Sequence, residues 1–218
     1  QHIKSKSGFH VDVIDGIQET ELIWKGVKNA VKIHSAPALI IDIGGGSIEF
    51  IICNDNEIIL KSSNNIGVAR LLIKHNFSDP LSSENISTIY HILETELQHL
   101  LNECHKYNVK TLIGSSGSYE TFANLIRHEY SGCNISDSDL TNTLDIDDFL
   151  SVYNKLITYN ENERTNMPGM EIIRVTMIPV AAVITKFLLE KLSIQTFIQS
   201  NFSLKEGTLF DYIDKIKQ

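Results

Sequence analysis

The chain has 218 residues, 42% of them hydrophobic, and a formal net charge of −8. That length allows one full domain with part of another around a sizeable core. The acidic balance excludes a general nucleic-acid binder, which needs a basic footprint, so any polyanion must be held locally by amides, metal ions and a few placed cations. Cys53, Cys104 and Cys133 have neither metal-ligand spacing nor the density of a disulfide framework. With no signal peptide or membrane span visible, a reduced, cytoplasmic protein is expected.

In chain order, residues 9–14 alternate as a strand, and Asp15 and Gly16 turn the chain. Asp15 is a candidate N-cap for a helix over residues 18–30, whose side is apolar at Leu22, Ile23, Gly26, Val27 and Ala30. Residues 31–37 read as a linker. Residues 38–43 form an apolar, β-branched run ending in Asp42 and Ile43, followed by Gly44, Gly45, Gly46 and Ser47. Residues 48–53 and 57–60 are two further apolar runs, separated by an Asn54-Asp55-Asn56 turn. The pattern is strand, glycine turn, strand, turn, strand. Consecutive glycines let the backbone approach a ligand and offer several N–H groups to one anion. Asp42 is a hard oxygen ligand at the mouth of that loop, suited to Mg2+ or its waters. Glu49, between Ile48 and Phe50, faces away from both. No Lys-Ser/Thr follows the glycines and no helix follows them directly, so neither a Walker A loop nor a dinucleotide fingerprint is present.

Further on, residues 62–70 form a polar loop containing Gly67 and Arg70. A long helix from Ser82 or Ser83 to about Lys106 carries an apolar stripe with His91, His99 and His105 beside it, in no metal pattern. Residues 109–113 form a strand that runs into Gly114-Ser115-Ser116-Gly117-Ser118 and a helix over 119–128, a generic anion site at a helix N-terminus. Residues 131–145 read as an exposed loop, 145–158 as a helix and 160–166 as a charged connector. After Arg174, a buried helix with an early Pro179 runs to Leu192. A last strand over 194–199 and a final helix opened by Gly207 complete the chain.

The string Asp-Ile-Gly-Gly-Gly-Ser-x-Glu, residues 42–49, resembles the second phosphate loop of the exopolyphosphatase / guanosine pentaphosphate phosphatase family. Residues 14–27 resemble that family's strand-to-helix segment, with Thr20 in place of its Ala. Gly67 and Arg70 resemble its Gly-x-x-Arg loop, and Gly117 and Ser118 its Gly-x-x-Gly-Thr loop, with Ser for Thr. Arg174 and Ile178 match a later motif, in which Thr176 replaces an Asp and Ala181 a Gly. Near the end Leu204, Glu206 and Gly207 are kept, while Asn201 and Lys205 replace Asp and Arg.

The resemblance implies an α/β fold, a ribonuclease H-like (actin-like ATPase) domain with a mixed sheet of about five strands flanked by helices. It divides the chain into a remnant of an N-terminal actin-like domain (1–36), a second actin-like phosphatase domain (37–205) and a C-terminal helix (206–218). No Asp-x-Gly-Ser first phosphate loop precedes Gly8, so the chain resembles a C-terminal piece with little or no turnover by itself. The implied chemistry is hydrolysis of a terminal phosphoanhydride of inorganic polyphosphate or guanosine pentaphosphate. Glu19 takes the place of the catalytic glutamate; read without the family, it is a first-turn acid favoured by the helix dipole. Gly44, Gly45, Gly46, Ser47, Gly117, Ser118 and Arg70 are the expected phosphate ligands, and Asp42 and Glu49 the expected holders of Mg2+, with or without a monovalent cation beside it. A homodimer is expected. Two other readings share the fold: a non-catalytic phosphate- or nucleotide-sensing domain, for which the departures leave room, and a sugar or acetate kinase relative, for which no adenosine pocket signature is visible.

Overall fold

The computed structural model describes residues 2–9, 11–130, 134–136 and 138–217. His10, Gly132, Cys133 and Asp137 lie outside the described residues. A six-stranded mixed sheet forms the centre, in the order β3-β2-β1-β4-β6-β5. Strands β1 (Ala38–Ile43), β2 (Ile48–Cys53) and β3 (Ile58–Asn64) form an antiparallel meander. Strands β4 (Thr111–Ser115) and β6 (Thr196–Ser200) add parallel to β1, and β5 (Thr141–Leu144) closes the far edge antiparallel to β6. β1 and β2 are buried throughout, which explains their unbroken apolar runs.

Strand alternation divides the core in two. Leu39, Ile41, Phe50, Ile52 and Leu112 pack into the larger cluster. On that side lie α3 (Val68–His75), α4 (Ser83–Glu96), α5 (Gln98–Lys106), α6 (Gly117–Glu129), α7 (Ile146–Thr158) and α9 (Ile178–Leu192). Ala38, Ile40, Ile51, Cys53 and Ile113 face the other way, onto α2 (Gly16–Ala30) and Leu204 of α10 (Leu204–Ile216). Short helices α1 (His2–Ser7) and α8 (Glu161–Thr165) complete the α-helices among the described residues, and Ile172–Arg174 form one 3-10 turn.

Several expectations change. The strand expected over 9–14 does not form. Its described residues are irregular, and Phe9 and Val13 are 73% and 93% exposed, because among the described residues no strand pairs with them. The sheet has six strands rather than five. The extra one, β5, comes from the region read as loop, and its buried Asn142 donates to Gln199 Oε1 at 2.8 Å. β3 runs four residues past Leu60. The single helix over 83–106 bends at Leu97, beside the Glu96 carbonyl that accepts from Asn64 Nδ2 at 3.4 Å. The charged connector folds into α8 and buries Arg164, which pairs with Asp79 at 2.7 Å and donates from Nε to the Val175 carbonyl at 3.0 Å.

Gly207 does not open the last helix; it lies inside α10, where α10 crosses α2. A Cβ on Gly207 would stand 1.7 Å from the Leu22 carbonyl oxygen, and one on Gly26 would stand 2.1 Å from that of Ser203. Each helix therefore presents a glycine to the other's backbone. Ion pairs Lys25–Asp211 and Lys61–Glu21 fix α2 further against α10 and β3. Gly207→Ala forces backbone apart rather than a flexible side-chain end. It should cost about 2 kcal/mol or more in unfolding free energy by urea titration; an unchanged midpoint would contradict this contact.

Candidate active site

The site forms where the carboxyl ends of β1 and β4 meet the first turn of α2. Asp42 and Glu49 stand opposite each other in the β1–β2 register, and Asp42 is also in register with Ser115 of β4. By alternation all three face α2. Asp42 is 9% exposed and Glu49 2%. Glu49 Oε1 accepts from Ser63 Oγ at 2.7 Å. Asp42 accepts from Ser116 Oγ at 2.7 Å and from Ser115 Oγ at 3.2 Å. Among the described residues, neither carboxylate forms an ion pair with Lys, Arg or His.

Asp15 caps α2 through a capping box: its Oδ1 accepts from the Gln18 amide at 2.8 Å, and Gln18 Oε1 accepts from the Asp15 amide. Gly16, the first helical residue, sits against the sheet. A Cβ there would lie 2.3 Å from Ser63 Oγ and 4.0 Å from Glu49 Oε1. Glu19, one turn along, is half-buried beside these acids. Thr20 is fully buried, and its hydroxyl donates to the Ile17 carbonyl at 2.6 Å, so this departure is satisfied locally.

Burial, then the Glu49 charge, raises the Glu19 carboxyl above the ordinary range. Asp42 is pushed up to about 7, first by burial. The Ser116 and Ser115 hydrogen bonds oppose that rise, while Glu49 and Glu19 add to it. Glu19, Asp42 and Glu49 thus form one electrostatic cluster.

Two sets of amides flank it. In the glycine loop the Gly44 amide donates to the Ser47 carbonyl at 3.0 Å, so Gly44 closes the turn instead of offering its N–H. The carbonyls of Gly44, Gly45 and Gly46 accept from the amides of Val68, Arg70 and Gly67 at the start of α3. With its carbonyls turned onto α3, the loop leaves the amides of Gly45, Gly46 and Ser47 without an acceptor among the described residues. Arg70 reinforces this: its Nε donates to the Gly46 carbonyl at 2.9 Å. The second set is the N-terminus of α6, where no side chain caps the helix and the amides of Gly117 and Ser118 have no acceptor among the described residues. Arg174 lies across Gly117, whose Cβ would stand 1.5 Å from Arg174 Nη2, and pairs with Glu171 at 3.1 Å.

Sequence reading missed Ser63, Ser115 and Ser116 as carboxylate partners. For Ser63 a signal existed: strand alternation carried past Leu60 places it opposite Glu49. Ser116 had none. Its backbone, at φ 65° and ψ −175°, lies in a region favoured by glycine, a strain of roughly 1–3 kcal/mol. Of the later departures, Thr176 is exposed and Lys205 is a 90% exposed partner of Glu206. Asn201 joins Gln199 Nε2 at 2.7 Å to the Asp139 carbonyl.

No three His, Cys, Asp or Glu side chains among the described residues converge on a metal position. Two hard carboxylates without counter-ions still fit Mg2+, which is usually bound by one or two carboxylates together with substrate phosphate oxygens.

Known proteins sharpen this picture. The model of the Ppx/GppA phosphatase family matches residues 1–216, and the chain belongs to that family. It is 27% identical to exopolyphosphatase 2 of Mycobacterium tuberculosis, over 85% of this chain and 57% of that protein. It is 24% identical to guanosine-5'-triphosphate,3'-diphosphate pyrophosphatase of Pseudoalteromonas translucida, over 96% of this chain and 40% of that one. The chain therefore spans less than two thirds of either relative's length. An exopolyphosphatase structure from Cytophaga hutchinsonii superposes with a TM-score of 0.92 at 33% identity, covering 98% of this chain and 69% of that one. The Aquifex aeolicus family member, at 24% identity and a TM-score of 0.83 over 100% of this chain and 69% of its own, shares the fold. That fold is the α/β, actin-like ATPase architecture. Among the described residues no helix is long and apolar enough to cross a membrane.

The raised Asp42 carboxyl has a consequence for stability. The folded state holds this proton up to about pH 7, whereas the unfolded chain releases it near 3.8. Its contribution is therefore full below about pH 4 and lost as pH rises through 7. Without divalent cation, Asp42→Asn should match the wild type near pH 4 and be the more stable by a few kcal/mol at pH 8, on the order of the linkage. Parallel stability–pH curves for the two proteins would refute this.

Proposed function

We propose that this chain carries the water-activating and phosphate-cradling residues of a phosphohydrolase that removes the terminal phosphoryl group of inorganic polyphosphate or guanosine pentaphosphate. One observation carries the reading: three mutually repelling carboxylates, Glu19, Asp42 and Glu49, adjoin two sets of amides that have no acceptor among the described residues. Carboxylates beside free N–H groups suit phosphoryl transfer, which needs positioning and charge neutralisation more than covalent help. The names of the relatives, exopolyphosphatase and guanosine-5'-triphosphate,3'-diphosphate pyrophosphatase, support this substrate class.

In this mechanism the amides of Gly45, Gly46 and Ser47 hold the terminal phosphoryl oxygens, and those of Gly117 and Ser118 a further phosphate. Arg70 keeps the first loop open through the Gly46 carbonyl. Glu19, raised by burial and Glu49, accepts the proton of the attacking water. The water oxygen bonds to phosphorus, the bridging P–O bond breaks, and its electron pair leaves with the shortened chain. Asp42 and Glu49 are the residues that would hold Mg2+, which when bound supplies charge neutralisation at the phosphoryl oxygens.

Because the chain spans less than two thirds of these relatives, little or no turnover is expected of it alone, and the test is phosphate release by the full-length protein with Mg2+, on polyphosphate and guanosine pentaphosphate side by side. Glu19→Gln should lower kcat by about 100-fold or more, with KM changed little. For the wild type, the rate should rise with pH through an acid limb lying above the ordinary Glu range, because the base must be ionised. Wild-type turnover retained in the variant would remove Glu19 from its role. Binding of both substrates without turnover in the wild type would establish a sensor instead.

A further inference from the structure

We infer that Ser116 is a positioning residue that locks the two loops together: its hydroxyl holds the Asp42 carboxylate and, turned that way, leaves the N-terminus of α6 uncapped. This rests on the site reading above and assigns the residue that couples its two halves.

The argument starts from what a serine does before a helix. Its oxygen ordinarily accepts from an amide of the first turn, with the backbone extended. Asp15, Ser82, Asp145 and Asn160 do this in the same molecule, at φ between −69° and −83°. Ser116 occupies the same position before α6 and behaves differently. Its φ is 65°, it accepts from no first-turn amide, and its hydroxyl donates to Asp42 Oδ1 at 2.7 Å.

A backbone at that φ and ψ favours glycine. The one heavy atom serine adds over alanine is Oγ, and that atom contacts Asp42. The strained conformation is thus matched by a contact that only the hydroxyl can make. Two results follow from the one bond. Together with Ser115 on Oδ2, it fixes the Asp42 carboxylate while leaving lone pairs on both oxygens for a cation. The same orientation turns Oγ away from the first turn of α6, so no side chain caps it and the amides of Gly117 and Ser118 stay available to an anion. Asp42 belongs to the glycine-loop strand and Ser116 to the α6 loop, 74 residues apart in sequence.

The two serine variants separate this role from a structural one. Ser116→Gly suits the backbone and removes Oγ; Ser116→Ala removes Oγ and keeps the strain. Binding of Mn2+ alone, as a hard-oxygen probe, is followed by electron paramagnetic resonance of the free ion, with the melting temperature measured alongside. Partners that orient a metal ligand are typically worth 10- to 100-fold in affinity. The expected result is that Ser116→Gly melts at or above the wild-type temperature yet needs at least about tenfold more Mn2+ for half-saturation. Ser116→Ala should bind as weakly and melt below the glycine variant. Wild-type Mn2+ binding in Ser116→Gly would overturn the inference and leave the site reading intact. Failure of the wild type itself to bind Mn2+ would overturn both.

Discussion

Two buried carboxylates facing each other across the β1–β2 ladder, with no ion pair to a Lys, Arg or His among the described residues, dominate this structure. Taking an unpaired charge out of water is costly, and a second like charge makes it more so. The protein compensates with hydroxyls rather than cations: Ser63 serves Glu49, and Ser115 and Ser116 serve Asp42. A hydroxyl stabilises a carboxylate without cancelling its charge. A lysine or arginine here would cancel the charge and occupy the place of a divalent ion. The serine shell therefore preserves a negative edge beside two amide clusters, and those opposite local fields suit a cation–phosphate pair.

The third carboxylate is held from outside the sheet. Glu19 sits on α2, whose position is set by a glycine-to-backbone crossing with α10, by ion pairs on both sides and by the contact of Gly16 with Ser63. Glycine contacts of this kind tolerate little displacement, because backbone meets backbone. A helix far along the chain, α10, thus sets the distance between Glu19 and the acids of the sheet. Arg164 plays a comparable role on the opposite side, holding the carbonyl next to Arg174.

Much of the site was legible because its chemistry is local in sequence. The run from Ala38 to Glu49 contains the strand, the loop and both carboxylates proposed to hold a metal, and strand alternation alone predicts that Glu49 departs from its neighbours. Long-range partners were not legible. Ser116 looks like any loop serine until its backbone is seen, and Gly44 differs from Gly45 only through the hydrogen bond that closes the turn. β5 was read as loop because it is polar, yet its Asn142 is buried and satisfied by Gln199, 57 residues away. The run over 9–14 failed the opposite way: it alternates like a strand, but among the described residues no strand pairs with it. Period and propensity describe what a segment can become, and tertiary partners decide it.

The central claim is that the Asp42–Glu49 pair and the amides of Gly45, Gly46 and Ser47 form one cation–phosphate site. A crystal structure of the protein with Mn2+ and tripolyphosphate, with manganese located by anomalous scattering, tests it most directly. The account predicts manganese within about 2.2 Å of a carboxylate oxygen of Asp42 or Glu49, or one water removed, and a phosphoryl group on the glycine-loop amides. Manganese bound away from both carboxylates, or a phosphate chain that bypasses the glycine loop, would contradict it.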